Sequence, residues 1–465
     1  MSCTIRILIL ACIFAVGFTI KTKRGSRIGH NLRNRGRNLS SLTEIKEKVY
    51  SAPIYGNISE IMYYYVDVYV GNPSNPSKQA LIVDTGSSIT CFPCIETCEK
   101  CGDHIFSPLS LYKSASAYVE NCKDYDCGCG DANQCLFEVS YNEGSSYEGF
   151  FVTDYFQFSS NPYTSVAPKY TFGCVTRETN LFLSQISNGI MGLQPVVRDN
   201  FKPVFYTFYE NGFIEKLQFS LLLEKNGGMM YLGGYDNSVL AEPPQNIVWI
   251  DNISDENYRV SFDNLSIDDE IISGGIIAKI DSGITFTYIT QKQYDNIETA
   301  ISNFCKQKKY KCLGRRDDQG CYRFIPFQEF TYKDFFYSFP VISFHVGSKK
   351  INWYPSDYFY QEGDAKFCLA IEPYAENESN IVLGASFLQN YLVIFDVEHQ
   401  KVGFVRAATK ECDRATIPKM KCSNDPHQTP VIKSEYDISE YNRDHKAKSF
   451  SHDLKSPISF KDISK

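Results

Sequence analysis

The chain has 465 residues, of which 43% are hydrophobic, and a formal net charge of −7. This length is ample for one large two-lobed domain with a buried core. The acidic balance argues against a nucleic-acid-binding protein. No run of about 20 apolar residues occurs towards the C-terminal end, so we expect no stable membrane anchor.

The N-terminal region is predicted to be a targeting segment followed by a basic arm. Ile7–Ile20 is an apolar run after Arg6, and its length is typical of a signal-peptide core rather than of a membrane span. We therefore predict a signal peptide over residues 1–17. Residues 18–52 carry many Lys and Arg residues and are interpreted as a propeptide-like arm, with a solvated, disordered arm as the alternative.

An aspartate follows a predicted buried strand at two places. The first copy is Asp84-Thr85-Gly86, after Leu81–Val83, and the second is Asp281-Ser282-Gly283, after Ile276–Ile280. One such tripeptide is a common turn sequence, but two copies can bring two carboxylates together. Two carboxyl groups so close together cannot both be ionised without a large repulsion, so the pair shares one proton. Such a pair can activate a water molecule and protonate a leaving amine without a metal or cofactor.

Each aspartate motif has a companion downstream. The runs Ile190-Met191-Gly192 and Val382-Leu383-Gly384 follow the two aspartates at a similar spacing, about a hundred residues. A glycine at the end of each run lets a second strand pass close behind the aspartate loop, where a side chain would block the approach. The repetition predicts an internal duplication with one motif pair in each lobe.

Cysteines concentrate between the first aspartate and residue 141. The chain has 17 cysteines, and eight lie in this interval: Cys91, Cys94, Cys98, Cys101, Cys122, Cys127, Cys129 and Cys135. Their spacings would also suit zinc. Disulfides are favoured because the segment follows a predicted signal peptide, and because His104 is the only histidine between the two aspartate motifs.

Strand and helix periodicities fit the same organisation. Tyr64–Val70 alternates as a strand does, and residues 291–307 place apolar side chains on one face of a helix. Residues 413–465 are polar without an apolar period and are interpreted as a disordered tail.

The motifs, in the order in which they occur along residues 53–412, resemble those of the pepsin-type family of two-lobed aspartic proteases. The resemblance implies an all-β, bilobal pepsin-like acid protease fold with short helices. It implies a first lobe over residues 53–245, with a cysteine-rich insert at 91–135 and a flap at 138–150, and a second lobe over residues 246–412.

The resemblance also implies roles for individual residues. Asp84 and Asp281 are the expected catalytic pair, one as general base and the other as general acid. The hydroxyls of Thr85 and Ser282 are expected to bond across the lobe junction, and that of Ser87 to bond Asp84. Substrate contacts are expected from four further residues: Tyr141, Glu143, Gly283 and Glu178. No cofactor or metal is expected.

Two positions depart from the family pattern. Ile284 stands where a hydroxyl residue usually lies beside the second aspartate. Because Ile cannot donate a hydrogen bond, we expect the pKa of Asp281 to be raised and the activity optimum to be less acidic than that of pepsin. The alternative is that Ile284 fills a packing gap while other donors compensate. Cys91 stands where a Trp often supports the flap tyrosine.

The cysteine cluster resembles that of the nepenthesin-like and plasmepsin V-type branch. The flap pattern Tyr141-Asn142-Glu143-Gly144-Ser145 implies that Glu143 binds an arginine of the substrate at P3, with Leu at P1; a solvated turn glutamate is the alternative. Cys174 is the expected unpaired thiol. Three bridges are expected in the second lobe, among the six remaining cysteines: Cys305, Cys312, Cys321, Cys368, Cys412 and Cys422.

These features together predict a monomeric aspartic endopeptidase of the secretory pathway that acts on polypeptides. Processing at Arg-x-Leu sites in the lumen of the endoplasmic reticulum is the favoured role. The alternatives are a broad secreted protease of nepenthesin type and a catalytically impaired binding protein with the same fold.

Overall fold

A computed structural model provides the fold. It describes residues 48–141, 144–158, 167–197, 201–307, 312–326, 330–374 and 381–408. The predicted signal peptide, most of the basic arm, Glu143 and the predicted tail lie outside the described residues. Among the helices in the described ranges, none is both long enough and apolar enough to cross a membrane.

Strands dominate the described residues of the first half, which contain one α-helix, α1 (Val204–Glu210). The strands are β1 (Tyr50–Asn57), β2 (Tyr63–Val70), β3 (Ser77–Asp84), β4 (Cys91–Pro93), β5 (Tyr118–Val119), β6 (Gly128–Cys129), β7 (Cys135–Ser140), β8 (Ser146–Gln157), β9 (Lys169–Glu178), β10 (Gly189–Gly192), β11 (Gln218–Glu224) and β12 (Gly227–Leu232).

The second half, where the structure describes it, adds further strands and four short or medium α-helices. The strands are β13 (Val248–Asp251), β14 (Arg259–Ile267), β15 (Glu270–Ile280), β16 (Thr287–Ile289), β17 (Arg315–Arg316), β18 (Tyr322–Arg323), β19 (Ile342–Val346), β20 (Lys349–Trp353), β21 (Phe359–Glu362), β22 (Lys366–Leu369), β23 (Ile371–Pro373), β24 (Ile381–Leu383), β25 (Tyr391–Asp396) and β26 (Lys401–Arg406). The helices are α2 (Gln291–Lys306), α3 (Tyr332–Tyr337), α4 (Pro355–Tyr358) and α5 (Ala385–Leu388).

The strands form three sheets in the described part of the chain. The largest follows the order β13-β26-β25-β11-β12-β1-β2-β3-β10-β4-β9-β8-β7-β6, with β5 added to β8. A second sheet has the order β20-β19-β14-β15-β24-β16-β23, and a small third sheet the order β17-β18-β22-β21. The predicted all-β fold class is confirmed.

The two halves repeat one arrangement around the aspartate motifs. In the first half, β3 runs parallel to β10, β10 antiparallel to β4, and β4 parallel to β9. The second half repeats this pattern: β15 runs parallel to β24, β24 antiparallel to β16, and β16 parallel to β23. Identical chain paths place each aspartate at the same point of its lobe, which agrees with the predicted internal duplication.

The companion glycines have the predicted effect. A Cβ atom at Gly192 would lie 2.6 Å from the backbone nitrogen of Ile89, in the loop after Asp84. A Cβ atom at Gly384 would lie 2.8 Å from the backbone carbonyl carbon of Phe286. Real Cβ atoms do not approach backbone so closely, so only glycine lets β10 and the residue after β24 pass behind the aspartate loops.

Helix α2 matches the predicted helix to within one residue at its end. Thr290 caps its first turn in a capping box with Gln293. Ile297, Ile301 and Phe304 are buried on one face. This face packs against the second sheet, so the helix is held mainly by burial of its apolar stripe.

Disulfide bonds tie the cysteine-rich insert to the first lobe and correct one prediction. Cys174, expected to be the free thiol, is bonded to Cys94, and the unpaired cysteine among the described residues is the buried Cys91. The pairing depends on the alignment of β4 beside β9, which brings the Cα atoms of Cys94 and Cys174 to 5.5 Å. The other bonds in the described residues are Cys98–Cys101, Cys122–Cys129, Cys127–Cys135, Cys305–Cys312 and Cys321–Cys368.

Peptide mapping under non-reducing conditions tests this pairing. After denaturation with an alkylating reagent and digestion, we expect a Cys94–Cys174 cross-linked peptide and an alkylated Cys91. The Cys174→Ala variant should lose about 2–5 kcal/mol of stability, because the bond closes a long loop. Recovery of alkylated Cys174, or of a Cys91–Cys94 link, would contradict the described pairing.

Candidate active site

Asp84 lies at the end of β3, opposite Gly192 of the parallel strand β10. Its residue surface is 6% exposed. The backbone N–H of Gly86 donates to Asp84 Oδ1 at 2.7 Å, and the Ser87 hydroxyl donates to Oδ2 at 2.5 Å. Both donors stabilise a negative charge on this carboxylate, as hydrogen bonds to a carboxylate generally do.

Asp281 immediately follows β15 and is 1% exposed. The backbone N–H of Gly283 donates to its Oδ1 at 3.1 Å, which repeats the contact between Gly86 and Asp84. Its Oδ2 accepts a hydrogen bond of 2.8 Å from the Lys279 ammonium group. Each carboxylate therefore accepts a hydrogen bond from the backbone N–H two residues later, but the two carboxylates differ in their side-chain donors.

The loops that carry the carboxylates bond to each other reciprocally. The N–H of Thr85 donates to the Ser282 hydroxyl at 3.1 Å, and the N–H of Ser282 donates to the Thr85 hydroxyl at 2.9 Å. The Thr85 hydroxyl in turn donates to the carbonyl of Ile280, and the Ser282 hydroxyl to that of Val83. All four bonds are buried and cross from one half of the chain to the other.

The glycine of each motif lies directly against the opposing aspartate. A Cβ atom at Gly86 would overlap the Asp281 carboxylate, and one at Gly283 would overlap the Asp84 carboxylate. Any side chain at either position would separate the two loops. The structure thus brings the two predicted carboxylates together at the lobe junction and gives Gly283 a role in their approach.

The close approach changes the titration of Asp84. Burial and the charge of Asp281 raise the pKa of Asp84 to about 7, against the opposing effects of Ser87, Lys279 and Gly86. A carboxyl group with this pKa holds its proton up to near neutral pH. The pair can therefore exist with one acidic proton and one negative charge, which is the state that general acid–base chemistry with water requires.

Lys279 is a site residue that the sequence prediction missed. Ile284 is buried where the first loop has Ser87, and it provides no donor, as expected. Lys279 supplies the side-chain donor to Asp281 instead, which agrees with the alternative in which other donors compensate for Ile284. The signal was present: Lys279 interrupts an apolar run two residues before the aspartate, and residues i and i+2 of a strand share a face.

Tyr141 lies at the tip of the hairpin formed by β7 and β8. Its N–H donates to the carbonyl of Ser145, and Gly144 adopts a positive φ of 93° that closes the turn. The Tyr141 ring meets the rings of Tyr147 and Phe182 edge to face. Within the described part of the hairpin, the tyrosine is thus held at the tip by aromatic packing.

Glu178 has a different environment from the substrate contact that was predicted. Its carboxylate is fully buried, accepts a 2.8 Å hydrogen bond from the N–H of Gly102, and pairs with His104 at 3.1 Å. Gly102 and His104 belong to the cysteine-rich insert. The contacts indicate that Glu178 attaches the insert to β9, because a carboxylate buried in this way cannot reach a peptide in solution.

Cys91 occupies a tightly packed position beneath the flap. It is completely buried in a cluster with Phe137 and Tyr147, and burial raises the pKa of its thiol far above the usual range. A Cβ atom at Gly173 would lie 2.8 Å from the Cys91 Cβ. The space is therefore filled by small residues and flap aromatics rather than by a Trp.

The comparisons with known proteins agree on one protein family. The family model for eukaryotic aspartyl proteases matches residues 63–407. Aspartic protease 5 of Toxoplasma gondii is 25% identical over 427 residues, covering 78% of this chain and 38% of that protein. Plasmepsin V of Plasmodium falciparum (isolate 3D7) is 24% identical over 451 residues, covering 77% of this chain and 73% of that protein. Aspartic proteinase 36 of Arabidopsis thaliana is 26% identical over 374 residues, covering 73% of each chain.

The buried His104–Glu178 pair predicts a pH-dependent contribution to stability. Burial lowers the pKa of His104, but its hydrogen bond with Glu178 and the charge of Glu178 outweigh this and raise the pKa. A raised pKa in the folded protein means that the pair stabilises the fold fully below the unfolded value and loses this effect as pH rises through the folded value.

We expect His104→Gln to lose about 1.5–3 kcal/mol at mildly acidic pH and less at alkaline pH, measured by denaturant unfolding at several pH values. The surface variant His399→Gln is the matched control, since the His399 side chain is two-thirds exposed. A deficit in His104→Gln that does not change with pH would contradict the charged pair.

Proposed function

The chain belongs to the eukaryotic aspartyl protease family, and we propose that it is an endopeptidase in which Asp84 and Asp281 activate the attacking water. The observation that carries this proposal is the reciprocal approach of the two loops, in which each motif glycine lies against the opposing carboxylate. Two buried carboxylates that interact electrostatically, one with a pKa raised to about 7, provide an acid and a base at one site.

The chemistry needs only these two groups and water. The ionised carboxylate takes a proton from water as the water oxygen bonds to the carbonyl carbon of the substrate peptide. The protonated carboxyl gives its proton to the departing amine nitrogen as the C–N bond breaks. The carbonyl π electrons move onto the carbonyl oxygen as water adds, and they re-form the double bond as the amine leaves. One proton has then entered the pair and one has left it, so the proton lies on the carboxylate that began as the base, and its return to the other carboxylate completes the cycle.

Hydrogen bonding prepares the loops for this reaction before substrate binds. The buried exchange of hydrogen bonds between Thr85 and Ser282 fixes the two backbones, and the Gly86 and Gly283 N–H groups fix the inner oxygens of the carboxylates. Groups fixed in this way need little rearrangement in the transition state, which lowers the barrier.

Substitution of either aspartate tests the proposal. We expect Asp84→Asn and Asp281→Asn each to lower kcat/KM on a cleaved peptide by at least about a hundredfold, because each removes an acid or a base. Asp154→Asn is the matched control: Asp154 is also fully buried, but it bonds Ser114 and Ser116 away from the pair. Wild-type activity in a folded Asp84→Asn variant would overturn the proposal.

We further propose that the enzyme works in the secretory pathway and processes proteins at Arg-x-Leu sites. The disulfide-rich insert supports an oxidising compartment. The flap pattern around Glu143 supports recognition of a substrate arginine, since a carboxylate accepts both arms of a guanidinium group. The carbonyl of the neighbouring Gly144 accepts a 2.6 Å hydrogen bond from the Asn180 side chain, which anchors the described end of this turn.

Paired peptides test the arginine preference. We expect an Arg-x-Leu peptide to be cleaved after Leu, and its Lys-x-Leu counterpart to react at least about tenfold more slowly, because lysine cannot form the bidentate contact. Glu143→Gln should reduce the difference in kcat/KM between the two peptides. Glu148→Gln, which changes a glutamate farther along β8, should leave that difference unchanged. The measurement is kcat/KM for each enzyme and peptide combination.

The outcomes distinguish the alternatives. Equal cleavage of both peptides, abolished by Asp84→Asn, would favour a broad secreted protease of nepenthesin type. A folded protein without cleavage of any peptide across a pH range would favour a binding protein with the same fold. The buried donors at both carboxylates favour the enzyme over the binding protein.

A further inference from the structure

Lys279 is the basic residue at the paired carboxylates. Its side chain is 11% exposed, and its ammonium group lies 2.8 Å from Asp281 Oδ2 and 3.3 Å from the carbonyl oxygen of Gly86. Lys279 is in β15, two residues before Asp281, so both side chains project from the same face of the strand. The Gly86 contact places the ammonium at the junction of the two loops rather than beside one of them.

The two carboxylates consequently have unequal donors. Ser87 gives Asp84 a neutral hydroxyl, whereas Lys279 gives Asp281 a positive charge. A hydrogen bond from a charged donor to a carboxylate is roughly twice as strong as a neutral one. In a buried site the charge is also poorly screened, so the difference between the two donors is larger than it would be in water.

We propose that Lys279 is a positioning residue that holds Asp281 in its ionised form and thereby places the shared proton on Asp84. This inference rests on the proposed function, because it assigns roles within that reaction. Asp281 is then the base that takes the proton from water, and Asp84 is the acid that gives a proton to the leaving amine. The two aspartates, alike in their motifs, have distinct tasks.

Neighbouring strands place other ionisable groups near Lys279. Asp84 faces it from the end of β3, and its pKa is raised to about 7, with burial and the charge of Asp281 as the main causes. Arg259 faces it from β14 in the paired register, and its Nε atom donates to Asn257. Val382 is its uncharged neighbour on β24. The buried Cys91 thiol interacts electrostatically with Asp84 and stays neutral, because burial raises its pKa.

The pH dependence of kcat/KM tests the proposal. We expect Lys279→Met to move the acid limb of the profile upwards by at least one pH unit, because Asp281 loses the charge that keeps it ionised. The basic limb should move in the same direction, since Lys279 also lowers the pKa of Asp84. Lys279→Gln, which keeps a donor without a charge, should show the same shift to a smaller extent.

Two further variants separate an electrostatic role from a packing role. Lys279→Arg should keep the wild-type profile, because it preserves the charge. Ile284→Thr alone should leave the acid limb within a few tenths of a pH unit, since Lys279 already supplies the donor; in the Lys279→Met background it should restore part of the shift. A large shift from Ile284→Thr alone would contradict the proposal.

The outcomes also distinguish this inference from the proposed function. A wild-type protein that cleaves no peptide, or whose cleavage survives Asp84→Asn, refutes the proposed function. A wild-type enzyme that cleaves peptides, combined with Lys279 variants that lower the rate without moving either limb, refutes the role of Lys279 alone. If both neutral Lys279 variants fail to fold, the Ile284→Thr profile decides: an unmoved acid limb supports the inference and a displaced one overturns it.

Discussion

The main physical constraint on this structure is that two carboxylates must be held close together in the protein interior. Their mutual repulsion and the loss of hydration both oppose the arrangement. Four buried hydrogen bonds between Thr85, Ser282 and the strands behind them fix each loop to the opposite half of the chain. Because each half holds the loop of the other, neither carboxylate can relax away without breaking bonds in both.

The internal duplication gives the two aspartates matching backbone environments, and two single side chains then make their environments different. The strands around Asp84 and Asp281 have the same order and directions, and both aspartates accept a bond from the N–H two residues later. Equal environments would leave the shared proton without a preferred side. Ser87 and Lys279 make the environments unequal with no change in the backbone path.

Features encoded in local sequence could be predicted, and features that depend on strand alignment could not. The aspartate motifs, their companion glycines and helix α2 have signatures within a few residues, and the structure contains them. The partner of Cys174 depends on the alignment of β4 and β9, which are about 80 residues apart in the chain. A sequence motif cannot reveal that pairing, so the wrong cysteine was expected to be free.

Glu178 and Lys279 show two further limits. Glu178 was assigned by analogy with a cleft loop, but its burial follows from the path of the insert, which brings Gly102 and His104 over β9. Lys279 is the one charged residue in an otherwise apolar run, and its role becomes evident only when its face of the strand is compared with that of Asp281. Side-chain charge at a buried position is decided by the fold around it, and composition alone does not report it.

The pairing of the last strands with the first half has a consequence for biosynthesis. β25 lies beside β11, with Leu392 opposite Leu222, and β26 joins it to β13. During translation β11 presents an open, apolar edge until the final strands have been made, and such edges invite pairing with other chains. A nascent chain that stops before β25 would therefore be expected to aggregate or to bind chaperones.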